Sequence, residues 1–153
     1  MLRKLVSCLM AFGILAAMTA PSVMAEGDRY GKQKVVYHIN YDGGENGKAY
    51  KGALGNIQNH INAVGKDNIE VKVVLHGDGV NLLRVAKDNL QLQGTVSNLK
   101  LQNVAFAVCN NTLKGRKIDK DKDLFEVFDE DIVPSGVAEL SYLQGQGYTY
   151  IKP

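Results

Sequence analysis

Cysteine is scarce in this chain: among 153 residues there are two, Cys8 and Cys109. Two cysteines cannot build the disulfide framework of a small secreted domain, and neither belongs to a CxxC pair of the kind that holds zinc. Tryptophan is absent and proline occurs only three times. The chain is long enough for one domain with a hydrophobic core, so we expect that core to stabilise the fold.

An excess of charge of one sign is also missing. The chain has 18 basic and 16 acidic residues, and two of the basic ones, Arg3 and Lys4, stand at its very start. The rest of the chain is therefore neutral overall. Because nucleic acids and anionic membranes are bound mainly through an excess of Lys and Arg, we expect neither as a partner.

Long apolar runs are missing except near the N-terminus. A short basic start precedes the apolar stretch from Leu5 to Met18, and small residues lead to a possible cleavage point after Ala25. This order predicts a secretory signal peptide over residues 1–25, the alternative being an uncleaved membrane anchor. Cleavage would remove Cys8 and leave Cys109 as the only thiol of an exported chain.

The remainder divides into a polar start and one predicted domain. Residues 26–33 are polar and are predicted to be disordered, whereas residues 34–153 are predicted to form a single domain. Runs rich in β-branched and aromatic residues predict strands at 34–40, 69–76, 104–109, 131–134 and 148–151. Apolar residues at spacings of three and four predict helices at 50–64, 81–90 and 95–101, and a last helix after Ser135 with Val137, Leu140 and Leu143 on one face.

This alternation of strands and helices indicates the fold class. Connections of this kind favour a mostly parallel sheet with helices on both faces. We therefore predict a three-layer α/β/α domain of about five strands. The charged run 114–123 predicts a solvated loop or a frayed helix.

Three of the predicted strands end in polar or reactive side chains. These are Asn40 after the first strand, His76 and Asp78 after the second, and Cys109, Asn110, Asn111 and Thr112 after the third. In an open parallel sheet, ligands bind outside the carboxyl ends of the strands. We therefore expect all of these side chains at one edge of the sheet, where they form the candidate site.

Cys109 is the strongest candidate for chemistry at that edge. A thiol is a nucleophile only as the thiolate, and backbone N–H groups at a helix start or a nearby imidazolium lower its pKa. Asn111 and Thr112, which follow Cys109, fit such a helix start. A free cysteine that ends an apolar run is equally typical of an inert core residue. The residues alone leave both interpretations open.

The histidines offer one further candidate and no metal site. His76 can hold the thiolate if its strand lies beside that of Cys109; the alternative is a ring that hydrogen-bonds the glycine-rich loop. His38 is interpreted as structural, and His60 lies on the polar side of the first long helix. No HxxxH or CxxC spacing is present, so no metal is predicted. The loop 43–47 lacks the GxGxxG pattern and is interpreted as a turn, with anion binding as the alternative.

Five segments carry a resemblance to a known family. They are Val36–Asn40, Leu75–Val80, Val104–Leu113, Val133–Leu140 and Gly147–Pro153, which occur in this order along nearly the whole predicted domain. Together they resemble the DsrE/DsrF-like family. The resemblance implies five parallel strands in three layers, trimeric or hexameric assembly, and a cysteine that carries sulfur as a persulfide or works in a sulfur relay with partner proteins. It also points to the bacterial periplasm for an exported member.

Two functions of different class follow from these observations. The first is a sulfur-handling thiol protein, in which the resemblance makes Cys109 the carrier and in which His76 and backbone N–H groups hold the thiolate. The second is a non-enzymatic module that binds a small ligand or a protein at the strand ends, with Cys109 only packed in the core. A structural oligomer without a ligand is a third possibility. None of them calls for a cofactor.

Overall fold

A computed structural model describes residues 29–153, in which five strands form one sheet. The strands are β1 (Gln33–Ile39), β2 (Ile69–Leu75), β3 (Ala105–Cys109), β4 (Ile132–Val133) and β5 (Thr149–Ile151). Their order is β4-β3-β2-β1-β5, and every pair of neighbours is parallel. The predicted signal peptide, residues 1–25, lies outside the described residues, so export stays a prediction.

Within residues 29–153, six helices connect and cover these strands. They are α1 (Lys48–Val64), α2 (Asn81–Ala86), α3 (Leu90–Leu101), α4 (Asn110–Arg116), α5 (Lys120–Asp123) and α6 (Gly136–Gly145). The predicted α/β class with a five-stranded parallel sheet is confirmed. Within residues 29–153, no helix combines the length and the hydropathy that crossing a bilayer requires.

The helix predicted over 81–90 is in fact two helices. The chain leaves α2 after Ala86, and the Asn89 side chain caps α3 by accepting a hydrogen bond from the backbone N–H of Leu92 at 3.1 Å. Leu90 is therefore the first residue of α3 and is 82% exposed. The spacing of the leucines matched one helix, but a side-chain cap at Asn89 starts a new one.

The charged run 114–123 is partly helical. α4 follows β3 without a linker, and α5 is capped by Asp119, whose carboxylate accepts hydrogen bonds from the N–H groups of Asp121 and Lys122. Because the first N–H groups of a helix have no partner within it, an aspartate at this position stabilises the short turn.

The core is divided by the sheet into a large and a small part. The large cluster packs one face of the sheet against α1, α2 and α3 and includes Tyr50, Leu82 and Phe106. The small cluster lies under α6 and includes Leu140 and Leu143. Val137, predicted on the buried face of α6, is 65% exposed. A single helix therefore covers the second face, and its N-terminal end lies over the ends of the strands.

The register of the strands places two of the candidate residues side by side. β2 pairs Leu75 with Val108 of β3, so the next residues, His76 and Cys109, are neighbours across the two strands. On its other side Cys109 pairs with Val133 of β4. The candidate site thus begins where the parallel strands end, as the rule for open sheets predicts.

Candidate functional site at the carboxyl ends of the strands

Cys109 closes β3 and is the centre of the candidate site. It is the only cysteine among the described residues, its thiol is free, and it is 5% exposed. The chain enters α4 directly after it, so Cys109 itself occupies the N-cap position of that helix. The sulfur therefore lies where backbone N–H groups have no partner within the helix.

The environment of the sulfur favours the thiolate. Burial raises the pKa of the Cys109 thiol, but hydrogen bonds from the N–H of Gly136, from the hydroxyl and N–H of Thr112 and from the N–H of Asn111 outweigh it, and the pKa lies below its usual value. Hydrogen bonds to the charged form of a group stabilise that form. The sulfur is thus held by backbone groups from two helices, α4 and α6.

α6 reaches the sulfur because it begins with a glycine. Ser135 caps this helix, with its hydroxyl accepting a hydrogen bond from the N–H of Ala138 at 3.4 Å. A Cβ on Gly136 would stand 2.9 Å from the Cβ of His76 and 3.3 Å from the Cβ of Cys109. A side chain at this position would therefore force α6 away from the strand ends.

Thr112 ties the sulfur to the loop that follows β2. Its Oγ1 accepts a hydrogen bond of 2.9 Å from the N–H of Gly77, while its hydroxyl donates to the sulfur of Cys109. Since one hydroxyl makes both contacts, the loop after His76 and the start of α4 are fixed relative to each other.

The ring of His76 is held by a second histidine. Its Nε2 lies 2.7 Å from the Nε2 of His38, and the two rings are stacked with centroids 4.7 Å apart. The Nδ1 of His38 in turn lies 2.7 Å from the hydroxyl of Tyr150 on β5. Within residues 29–153, no hydrogen bond joins His76 to Cys109, and the described partner of the His76 ring is His38.

Both histidines are neutral near pH 7. Burial, then the nearby charges of His76 and Lys152, lower the pKa of His38 to about 4. Burial and Lys152 also lower the pKa of His76. The groups that lower the pKa of the Cys109 thiol are therefore the N–H and hydroxyl donors around it, and not an imidazolium of His76.

The other predicted residues surround this centre. Asn40 and Asn110 are half-buried at the same edge, and Asn111 contributes through its backbone. Asp78 accepts a hydrogen bond of 2.7 Å from Arg116 with its carboxylate, and one of 2.7 Å from the Tyr50 hydroxyl with its carbonyl. Both members of the Asp78–Arg116 pair are largely exposed, so this ion pair contributes little stability.

Sequence reasoning missed three contributors to the site. The sequence alone suggests a structural role for His38 and indicates no role at the site for Gly136 or Tyr150. His38 lies two residues before Asn40, so strand alternation places both on the same face, and this was the available signal. The contacts of Gly136 and Tyr150 depend on how α6 and β5 pack, which no local pattern shows.

Within the described residues 29–153, His, Cys, Asp and Glu side chains do not gather in threes close enough to hold a metal ion. The two Nε2 atoms of His38 and His76 instead satisfy each other.

Comparison with known proteins identifies the family. Residues 34–153 match the model of the DsrE/DsrF-like family. The chain belongs to this family. The match begins one residue after the start of β1 and runs to the last residue, so the sheet edge with Cys109 lies inside it. No curated protein matches the chain.

A solved structure supports the assignment to the DsrE/DsrF-like family. The protein MTH1491 from Methanobacterium thermoautotrophicum, described as of unknown function, is 34% identical and superposes with a TM-score of 0.67. The similarity covers 80% of this chain and 100% of that one. At the level of the family, these findings indicate sulfur relay with partner proteins. They do not assign a role to individual residues, because a fold alone does not define a function.

Proposed function

We propose that this chain is an exported sulfur-handling protein in which Cys109 takes up a sulfane sulfur, holds it as a persulfide and passes it to an acceptor. The thiolate of Cys109 attacks the outer sulfur of a donor R–S–SH. The S–S bond of the donor breaks, a new S–S bond forms at Cys109, and R–S⁻ leaves with the electron pair. No external oxidant or reductant is needed, because one S–S bond replaces another.

The observation that carries this proposal is the set of donors around the sulfur. Asn111 and Thr112 from one helix and Gly136 from another converge on Cys109, and together they hold its pKa below the usual value despite burial. An inert core cysteine needs no such donors. A thiolate stabilised in this way is both the nucleophile and the carrier that sulfur exchange requires.

The first test is the pH dependence of Cys109 alkylation, followed by mass spectrometry. A Cys8→Ser variant of the chain has Cys109 as its only thiol, so every label reports on the site. We expect a midpoint below the free-thiol value of about 8.5. Labelling that occurs only when the protein unfolds would instead show a thiol that no substrate reaches.

The second test is sulfur uptake from a low-molecular-weight persulfide. Intact mass should rise by one sulfur atom in the Cys8→Ser protein and should not rise when Cys109 is also replaced by serine. The added sulfur should be released by a thiol acceptor. Equal uptake with and without Cys109 would place the chemistry elsewhere and refute the proposed carrier.

Export and assembly belong to the same proposal. Expression in a bacterium followed by fractionation should yield a periplasmic protein that begins at Glu26, since the predicted cleavage follows Ala25. Light scattering should give the mass of a trimer or a hexamer, as the family resemblance implies. A precursor retained in the membrane would contradict the proposed export, and a monomer would contradict the proposed assembly.

A binding module is the alternative that one observation favours. Cys109 is 5% exposed, which suits a packed core residue as well as a guarded thiolate. In that case Cys109→Ala should leave ligand binding at Asn40, Asp78 and Asn110 intact and cost about 1 kcal/mol or more in stability. A thermal-shift screen of small anions and thiols, on the wild type and on this variant, distinguishes the binding module from the sulfur carrier.

A further inference from the structure

Three hydrogen-bonding groups form a chain that ends beside Cys109. The Tyr150 hydroxyl lies 2.7 Å from Nδ1 of His38, and Nε2 of His38 lies 2.7 Å from Nε2 of His76. The three residues come from three neighbouring strands or their ends: β5, β1 and β2. The proposed sulfur chemistry does not require this hydrogen-bond chain, which runs from Tyr150, 40% exposed, through the buried His38 to the neighbour of the thiol.

The hydrogen-bond roles along the chain follow from its first member. A neutral imidazole has one donor and one acceptor nitrogen. The lone pair of an imidazole nitrogen is a better acceptor than a phenol oxygen, so the Tyr150 hydroxyl donates to Nδ1 of His38. His38 then carries its proton on Nε2 and donates it to Nε2 of His76. His76 is left with its own proton on Nδ1.

The second nitrogen of His76 is open to solvent. Nδ1 makes no hydrogen bond to another residue in the part of the chain described, and in that same part no buried side-chain nitrogen or oxygen lacks a partner. Since His76 is half-buried, its Nδ1 must reach the protein surface. Its neighbour across the strands is Cys109.

We propose that His38 and Tyr150 are positioning residues that lock His76 as an Nδ1–H donor at the mouth of the thiol site. This inference rests on the proposed function. During sulfur transfer the departing R–S⁻ gains negative charge, and the Nδ1–H of His76 stabilises it by a hydrogen bond. The leaving sulfur later takes its proton from water. His76 thus acts as a neutral hydrogen-bond donor and neither as a base nor as a cation.

The charges around the chain agree with a neutral donor. Lys152 lies near both histidines and disfavours their protonated forms, and each ring also faces the other. The thiol of Cys109 also lies beside His76, and the Asp78–Arg116 ion pair lies on the loop that follows it. A cationic lysine and a buried partner ring both keep the pair uncharged at neutral pH.

The experiment compares Tyr150→Phe and His38→Gln with the matched controls Tyr142→Phe and His60→Gln, all carrying Cys8→Ser. Tyr142 is an exposed tyrosine of α6, and His60 bonds Tyr37 and Gln33 away from the site. Ring ¹⁵N chemical shifts report which nitrogen of His76 carries the proton. We expect Nδ1 to be protonated in the Cys8→Ser parent and in both controls, and a mixture of tautomers in Tyr150→Phe and His38→Gln.

Kinetics supply the second readout. Sulfur uptake from the low-molecular-weight persulfide should slow about tenfold in Tyr150→Phe and His38→Gln, which corresponds to one hydrogen bond to a developing charge. The alkylation midpoint of Cys109 should stay unchanged, because the N–H and hydroxyl donors of α4 and α6 set it. A variant that only damaged the fold would shift both readouts, and Tyr150→Phe keeps the test valid if His38→Gln fails to fold.

The outcomes separate this inference from the function on which it rests. Sulfur uptake by the Cys8→Ser parent, together with uptake at the same rate in Tyr150→Phe, would overturn the positioning role and leave the sulfur carrier standing. An unprotonated Nδ1 of His76 in the parent would overturn it without any kinetic assay. No uptake by the parent would overturn the proposed function, whatever tautomer the ¹⁵N shifts show.

Discussion

Replacement of His38 by glutamine should flatten the pH dependence of stability. His38 is 8% exposed and faces the His76 ring with Lys152 nearby, and its pKa falls from 6.5 to about 4 on folding. As the pH falls, His38 takes up a proton at a higher pH in the unfolded chain than in the folded protein. The stability that comes from its neutral form is therefore complete above about pH 6.5 and is lost as the pH falls towards 4.

The size of the effect follows from the two pKa values. Between pH 8 and pH 5 the wild type should lose about 2 kcal/mol of unfolding free energy through His38, and about 3 kcal/mol once the pH is below 4. Carboxylates titrate mostly below this window. His76 adds a loss in the same direction, because its pKa is lowered as well. Glutamine cannot titrate, so the variant should lack the part due to His38.

Urea unfolding followed by circular dichroism measures this difference, because the chain has no tryptophan to serve as a fluorescent probe. Unfolding free energies at pH 8 and pH 5 are compared between wild type and His38→Gln. Parallel loss of stability in wild type and His38→Gln would refute the reasoning. So would an NMR titration of His38 with a midpoint near its ordinary value.

Four other substitutions test the packing and the thiol. Gly79→Ala places a Cβ 1.9 Å from the carbonyl oxygen of Ile39 and should lower the unfolding free energy by about 3 kcal/mol or more. Gly52→Ala, in open space on α1, should instead raise the unfolding free energy by about 0.5 kcal/mol. Thermal unfolding of the two variants measures both effects. Thr112→Val removes a hydroxyl donor from Cys109 and should raise the alkylation midpoint; an unchanged midpoint would show that the backbone donors suffice. Gly136→Ala should also raise the alkylation midpoint of Cys109, because the added Cβ separates α6 from the sulfur. A midpoint equal to that of the wild type would contradict that geometry.

Much of the scaffold can be read from local patterns. Val, Ile and Leu in short runs separated by amphipathic stretches require a buried sheet with helices around it, and the polar residues that follow each run must then meet at one edge. His76 and Cys109 are neighbours for that reason. The one wrong division, the helix predicted over 81–90, arose because a cap such as Asn89 competes with hydrophobic spacing, and spacing alone does not show which prevails.

The sequence by itself therefore determined the class of the fold, the edge where chemistry is possible and the thiol that could perform it. Only the tertiary structure decided what surrounds that thiol. Gly136 donates to Cys109 because α6 crosses the strand ends, and His38 meets Tyr150 because β5 joins the sheet beside β1. These contacts join residues far apart in the chain, and their geometry depends on the packing of whole elements, which local propensity does not encode.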